Sequence, residues 1–184
     1  MKFNVHYKYE GRHALFSPSQ SSWLRYDEEK AKQVFENRMA AARGTELHEV
    51  AKKLIDLGIK QRKSKTTFCS YVNDAIGYKM STEVVLFYSE RFYGTADAIS
   101  FRNNTLRIHD LKTGKIPASM EQLEIYAALF CLEYEIRPGD IDIHLRIYQN
   151  DEVLCHDATA EDILPIMDKI VSLDKLLERL EEEV

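Results

Sequence analysis

The chain has 184 residues, 45% of them hydrophobic and 30% charged, which marks a soluble globular protein rather than a disordered one and allows a single domain over residues 1–184 with a real core. Its net charge of −5 argues against non-specific coating of DNA by the whole surface but leaves room for a local basic groove. No apolar stretch approaches the roughly 18 residues that cross a bilayer, and the opening MKFNVHYKYEGRH lacks the apolar centre of a signal peptide, so the expectation is a cytoplasmic protein with no membrane partner.

In chain order, residues 3–9 alternate Phe3, Val5, Tyr7 and Tyr9 on one side and predict a strand. Ser19 is a candidate cap for a short helix containing Trp23 and Leu24. Residues 28–42 read as helix, Gly44 as an interruption, and Thr45 as the cap of a second helix that stops at Gly58. The basic run KQRKSK, residues 60–65, is either a solvated loop or a phosphate contact. A short helix is expected over 67–77, then strands over 82–89, 92–102 and 105–112, with Asn103-Asn104 as a tight hairpin turn. Residues 119–135 carry the strongest helical pattern. A strand over 140–149 pairs with residues 152–158 across Asn150-Asp151, and 160–183 closes the chain as an amphipathic helix. Its Leu173, Leu176, Leu177 and Leu180 form either a subunit contact or a wall of the core. This order predicts an α/β (α+β) fold with a mixed central sheet flanked by helices.

Cys69, Cys131 and Cys155 are far apart and form no C-x-x-C pair. Reduced thiols are expected, without a disulfide framework, structural zinc or iron–sulfur cluster.

The chemistry concentrates in RIHDLKTGK, residues 107–115. On a strand, Ile108, Asp110 and Lys112 share one face while His109 and Leu111 take the other. Alone, the D-x-K pair reads as a surface ion pair. Counted back from the Asn-Asn turn, however, Asp97 falls opposite Asp110, and facing carboxylates repel unless something positive lies between them. Lys112 can serve, and so can Mg²⁺, which takes oxygen ligands of the kind Asp97, Asp110 and the Leu111 carbonyl offer. Glu46 and His48 open the helix of RGTELHEVA, where His48 is either a metal ligand or an ordinary helix histidine. Gln122 and Tyr126, spaced i, i+4, share a helix face with the apolar Ile125 and Leu129; that face is either a substrate contact or core packing with a polar edge.

Gly44/His48, Gly94/Asp97, Asp110/Lys112 and Gln122/Tyr126 follow, in order, G-x-x-x-H on a helix, G-x-x-D and D-x-K on successive strands, and Q-x-x-x-Y on the next helix. The set resembles the RecB-type branch of the PD-(D/E)XK nuclease superfamily, over roughly residues 17–149. The serine-rich SPSQSSWLRYD is similar to the opening of that branch. The resemblance implies a restriction-endonuclease-like core in which His48, Asp97, Asp110 and the Leu111 carbonyl bind Mg²⁺ or Mn²⁺. It further implies that Lys112 is the catalytic lysine, that Gln122 and Tyr126 position the substrate strand, and that Glu83 occupies an often acidic position. Many CRISPR-associated members hold an iron–sulfur cluster on four cysteines; with three, and none near the N-terminus, this chain is expected to lack it.

The expected function is metal-dependent hydrolysis of DNA by an exonuclease of recombination, repair or phage DNA processing, in a bacterial or phage-infected cell. Arg43, Lys115 and the 60–65 run are candidates for holding the DNA backbone, and Trp23 or Tyr26 for stacking on unpaired bases, although core packing suits Trp23 better. A homo-oligomer or a partner protein of a recombination or repair complex is compatible with this. The alternative is a weak or inactive nucleic-acid-binding subunit of a recombination or CRISPR-type complex.

Overall fold

A computed structural model describes residues 14–16, 18, 21–64, 66–114 and 117–182. The strand expected over residues 3–9, the Ser19 cap and the DNA contact expected of Lys115 lie outside the described residues. The chain divides into two compact units, residues 1–45 and 46–184.

In the first unit a 3₁₀ turn, Ser21–Arg25, leads into helix α1, Glu28–Asp56, whose last turns belong to the second unit. The Asp27 carboxylate caps α1 by accepting the Lys30 backbone N–H at 2.8 Å. Trp23 and Tyr26 both pack on Phe16, with ring centroids 6.1 and 6.4 Å away.

Two separate helices were expected here, and the structure corrects that expectation. α1 runs unbroken through Gly44. Glycine costs about 1 kcal/mol in a helix interior, which does not end a helix whose neighbours are good formers such as Ala41 and Ala42. Thr45 is not a cap; its hydroxyl donates back to the Ala41 carbonyl at 3.2 Å. The stop at Gly58 does hold. Its φ of +66° is the left-handed geometry that glycine favours, and the Gly58 and Ile59 N–H groups close on the Ile55 and Leu54 carbonyls at 2.9 and 2.8 Å.

The second unit is α+β. Helix α2, Thr67–Gly77, precedes strands β1, Ser81–Ser89, β2, Phe92–Arg102, and β3, Thr105–Leu111. Helix α3, Glu121–Glu133, crosses to β4, Asp142–Gln149, which is followed by β5, Glu152–Ala158, and helix α4, Ala160–Glu182. The five strands form one sheet in sequence order, parallel between β3 and β4 and antiparallel elsewhere. The mixed sheet therefore arises from one helical crossover, because parallel neighbours need a long connection whereas antiparallel ones need two residues. Asn103 and Asn104 (φ +51° and +56°) and Asn150 and Asp151 (φ +52° and +61°) supply the two tight turns.

Strand alternation divides the core. Leu106 and Ile108 of β3 and Ile143, Leu145 and Ile147 of β4 are buried against α3 and α4. Leu111 and Tyr148 are buried on the other face against Ala51 and Ile55 of α1 and Tyr71, Val72 and Ala75 of α2. Of the α4 apolar residues, Ile163 and Ile170 close the core, whereas Leu176, Leu177 and Leu180 are exposed. Among the described residues no helix is long and apolar enough to cross a membrane.

Candidate active site

The β2–β3 ladder runs from Arg102↔Thr105 at the turn to Ala98↔His109. Asp97 and Asp110 follow directly beyond these last paired residues, near enough for the Asp110 charge to act on the Asp97 carboxyl. Asp110 and Lys112 point to the α3 side with Ile108, and His109 and Leu111 to the α2 side, so the alternation expected for the D-x-K strand is present.

Asp97 Oδ2 accepts the Leu111 backbone N–H at 3.2 Å and lies 3.3 Å from His48 Nδ1. The Lys112 backbone N–H donates to the Tyr148 carbonyl at 2.9 Å, anchoring the strand end to β4. Lys112 Nζ donates to Gln122 Oε1 at 2.7 Å, and Gln122 Nε2 donates to the Tyr126 hydroxyl at 3.1 Å. The i, i+4 pair on α3 thus extends a chain of hydrogen bonds from the lysine, while Leu129 beside it is buried and Ile125 is exposed. On this face Leu129 is in the core and Tyr126 packs against it, while Ile125 is exposed.

Gly94 explains how Tyr126 reaches the sheet. A Cβ there would lie 2.8 Å from Tyr126 Cε1, a distance no side chain tolerates, so only glycine lets the ring lie against β2.

The Asp110 carboxylate is 3% exposed as a residue. Its Oδ2 lies 3.0 Å from Lys112 Nζ but outside hydrogen-bonding geometry, so that oxygen is buried with a charge nearby and no hydrogen bond. A buried acceptor in that state is costly unless another group completes it. Burial and the nearby Asp110 charge push the Asp97 carboxyl up to about 6, against the pull of His48 and the Leu111 N–H; Glu83 adds a smaller push. Site-side repulsion also reaches Tyr71 of α2. Its phenol is raised chiefly by burial, then by the charges of Asp97, Asp110 and Glu83. Sequence reasoning missed Tyr71, whose place beside the acids follows only from how α2 packs on the sheet.

Glu83 stands opposite Asp97 in the β1–β2 register, between the pairs Thr82↔Ala98 and Val84↔Ala96. Its φ of +51° is left-handed within a strand, a conformation that costs of order 1–3 kcal/mol in a non-glycine residue. The exposed Glu46 is not gathered with His48. Two residues apart on a helix, they lie about 200° apart around its axis. Arg43 is exposed on α1 within the first unit. Lys60, Arg62 and Lys63 are exposed in a loop that Gln61 ties to α2, its N–H donating to Asn73 Oδ1 at 2.7 Å.

Among the described residues no three His, Cys, Asp or Glu side chains form a ready-made metal cluster. The donor set is two carboxylates, one imidazole and a backbone carbonyl. That chemistry fits a hard divalent cation that keeps waters in its shell, and the bare Asp110 Oδ2 is the atom such a cation would complete.

The opposite face of β3 is more fully paired, although the buried His109 Nε2 has no hydrogen-bond partner. His109 is fully buried, its Nδ1 3.2 Å from the Tyr148 hydroxyl, which donates to Asp74 Oδ2 at 2.7 Å. Arg146 reaches the same Asp74 oxygen at 3.2 Å, and Arg107 and Arg146 lie 4.7 and 5.4 Å from the centre of the Tyr78 ring. Burial first, then Arg146 and Arg107, lower His109 to about 3. A neutral imidazole with its proton on Nδ1 follows from the network, since the tyrosine hydrogen is already given to Asp74.

Comparison with family models and with curated proteins returns no match for the chain.

Proposed function

We propose that the chain is a divalent-metal-dependent nuclease of the RecB-type PD-(D/E)XK kind, acting on DNA ends in the cytoplasm. The observation that carries this reading is Asp110, buried with a bare carboxylate oxygen, near Asp97 and within 3.0 Å of the Lys112 ammonium. His48, Asp97, Asp110 and the Leu111 carbonyl would hold Mg²⁺ or Mn²⁺. When bound, such an ion lowers the pKa of a coordinated water and polarises the phosphodiester.

The protein's own groups do the rest. Lys112, held by Gln122, orients the attacking water and stabilises negative charge developing on phosphorus-bound oxygens. Gln122 and Tyr126 fix that lysine and line the approach of the strand. The exposed Lys60, Arg62 and Lys63 offer salt-sensitive backbone contacts. A non-catalytic nucleic-acid-binding subunit finds less support, because His48, Asp97, Asp110 and Lys112 are all retained.

The test is a time course on end-labelled linear single- and double-stranded DNA beside closed circles, in Mg²⁺, Mn²⁺ or EDTA, with Lys112→Ala as control. Metal-dependent loss of linear DNA alone, abolished by the substitution, is the expected result, and the released label gives polarity. Cut circles make the enzyme an endonuclease. No cleavage with any metal refutes the catalytic reading.

A further inference from the structure

The open sheet ends in β1 on one side and β5 on the other, and the two edges differ. Edge strands present unpaired backbone groups, which proteins ordinarily blunt or cover. The β1 edge is broken up. Glu83 takes a left-handed φ of +51°, the register shifts between Phe87 and Ser89, and the Phe87 N–H donates to Glu133 Oε2 at 2.8 Å. The β5 edge has no such device among the described residues. Its register with β4 runs unbroken from Gln149↔Glu152 to Ile143↔Ala158, and EVLCHDA contains neither proline nor lysine. Val153 and Leu154 are 40% and 42% exposed, and Cys155 beside them is exposed too.

The turn decides which backbone groups of β5 are free. A two-residue connection makes Gln149 and Glu152 a hydrogen-bonded pair, so Glu152, Leu154, His156 and Ala158 direct their backbone groups to β4. Val153, Cys155 and Asp157 turn theirs outward, and these N–H and C=O groups have no backbone partner among the described residues. Two copies of this edge fit one another about a two-fold axis. Antiparallel pairing centred on Cys155 joins all six outward groups, with Val153 opposite Asp157, Leu154 opposite His156 and Glu152 opposite Ala158 of the second copy. No like charges face each other, and the Asp157 carboxylate is already matched by His144. Centring on Leu154 forms only four of the six bonds and sets Asp157 against Asp151. Centring on His156 also forms four and sets that histidine against itself.

We infer that β5 is a dimerisation edge: two copies of this chain pair β5 on β5, antiparallel and centred on Cys155, and join their five-stranded sheets into one. The same strand supplies both sides of the contact, so assembly closes at two copies. Main-chain hydrogen bonds carry the affinity. A single strand pair lies at the low end of interface sizes, so the dimer dissociates on dilution. β3 is parallel to β4, and β4 of one copy runs antiparallel to β4 of the other. The two D-x-K ends therefore point to opposite ends of the joint sheet. Each chain keeps its whole candidate site, and the inference stands independently of the nuclease reading.

The experiment follows the full chain by sedimentation across a dilution series, with hydrogen exchange read at the Val153, Cys155 and Asp157 amides. Dimer at high concentration giving way to monomer, with protection of those amides lost in parallel, is the expected result. In a hydrogen-bonded antiparallel pair the Cα atoms lie about 5.5 Å apart, within the roughly 4.4–6.8 Å that a disulfide spans. Diamide, which takes two electrons and two protons from two thiols, should therefore crosslink the dimer through Cys155 and not through Cys69 or Cys131. Cys155→Ser should abolish the crosslink and keep the dimer. Cys155→Pro removes an outward N–H that β4 does not use and should abolish the dimer, with circular dichroism to verify folding. A monomer at every concentration overturns the inference. A dimer that survives Cys155→Pro, or that crosslinks elsewhere or not at all, overturns it too. Amide protection that persists in the monomer means the edge is covered from within the chain, and overturns it likewise. If Cys155→Pro does not fold, exchange and crosslinking of the unsubstituted chain decide alone.

Discussion

His109 and Asp110 are neighbours on β3, yet the sheet sends them into opposite surroundings. His109 enters a network in which Tyr148, Asp74 and Arg146 satisfy one another and two arginines flank Tyr78, while its Nε2 is left without a hydrogen bond. Asp110 enters a half-open site where the acids repel, Asp97 is pushed up to about 6 and a carboxylate oxygen has no hydrogen bond. Both faces bury a polar atom that has no hydrogen bond, His109 Nε2 on one and Asp110 Oδ2 on the other, but only the second belongs to a carboxylate. A half-satisfied buried network is worse than an apolar core, and on the α2 side the atom left over is a neutral imidazole nitrogen. On the α3 side the Asp110 oxygen is the atom that the proposed cation would complete.

The sharpest way to break this contrast is to remove the lysine. Lys112→Ala should cut cleavage about 100–1,000-fold, equivalent to ~2.7–4 kcal/mol of barrier, in an assay under metal saturation, while chemical denaturation shows little loss of stability.

Asp97→Asn comes next, and pH gives its sign. The folded carboxyl ionises near 6 against an ordinary 3.8, so between those values the folded chain holds a proton that the unfolded chain has released. Metal-free stability therefore falls as pH rises from about 4 to about 6, by about 2–3 kcal/mol, and stays lower above that window. Thermal unfolding at pH 8 without metal should find Asp97→Asn more stable than the unsubstituted chain, and added Mn²⁺ should stabilise only the latter. Metal affinity in the unsubstituted chain should weaken below about pH 6, where proton and cation compete.

On the α2 side the effects reverse. Tyr148→Phe leaves Asp74 without its hydroxyl donor and His109 Nδ1 without its acceptor, which should cost about 1–3 kcal/mol in urea unfolding and leave metal affinity unchanged. Gly94→Ala should have the smallest effect. It displaces the Tyr126 ring and loosens the bond to Gln122, at about 1 kcal/mol of stability, with a modest loss of cleavage by the same assay.

The sequence disclosed what local rules govern. Asn103-Asn104 and Asn150-Asp151 gave both hairpins because few residues accept left-handed turns, and from the first of them the register could be counted as far as Ala98 on His109. The β-branched alternation of 141–147 and the Gly58 stop were equally plain. What failed depended on context. Gly44 looked like a break, but propensity alone does not end a helix. Tyr71 and the Asp74–Tyr148 bond were invisible because they join residues more than seventy positions apart, and no short motif encodes that packing.

The account turns on whether the α3 side of β3 binds a cation. Calorimetric titration of Mn²⁺ into the unsubstituted chain and into Asp110→Asn at pH 7.5 tests it most directly. Saturable binding to the former, lost in the substituted chain while its fold is retained, is the predicted result. No binding to the unsubstituted chain, or equal binding to both, would contradict it.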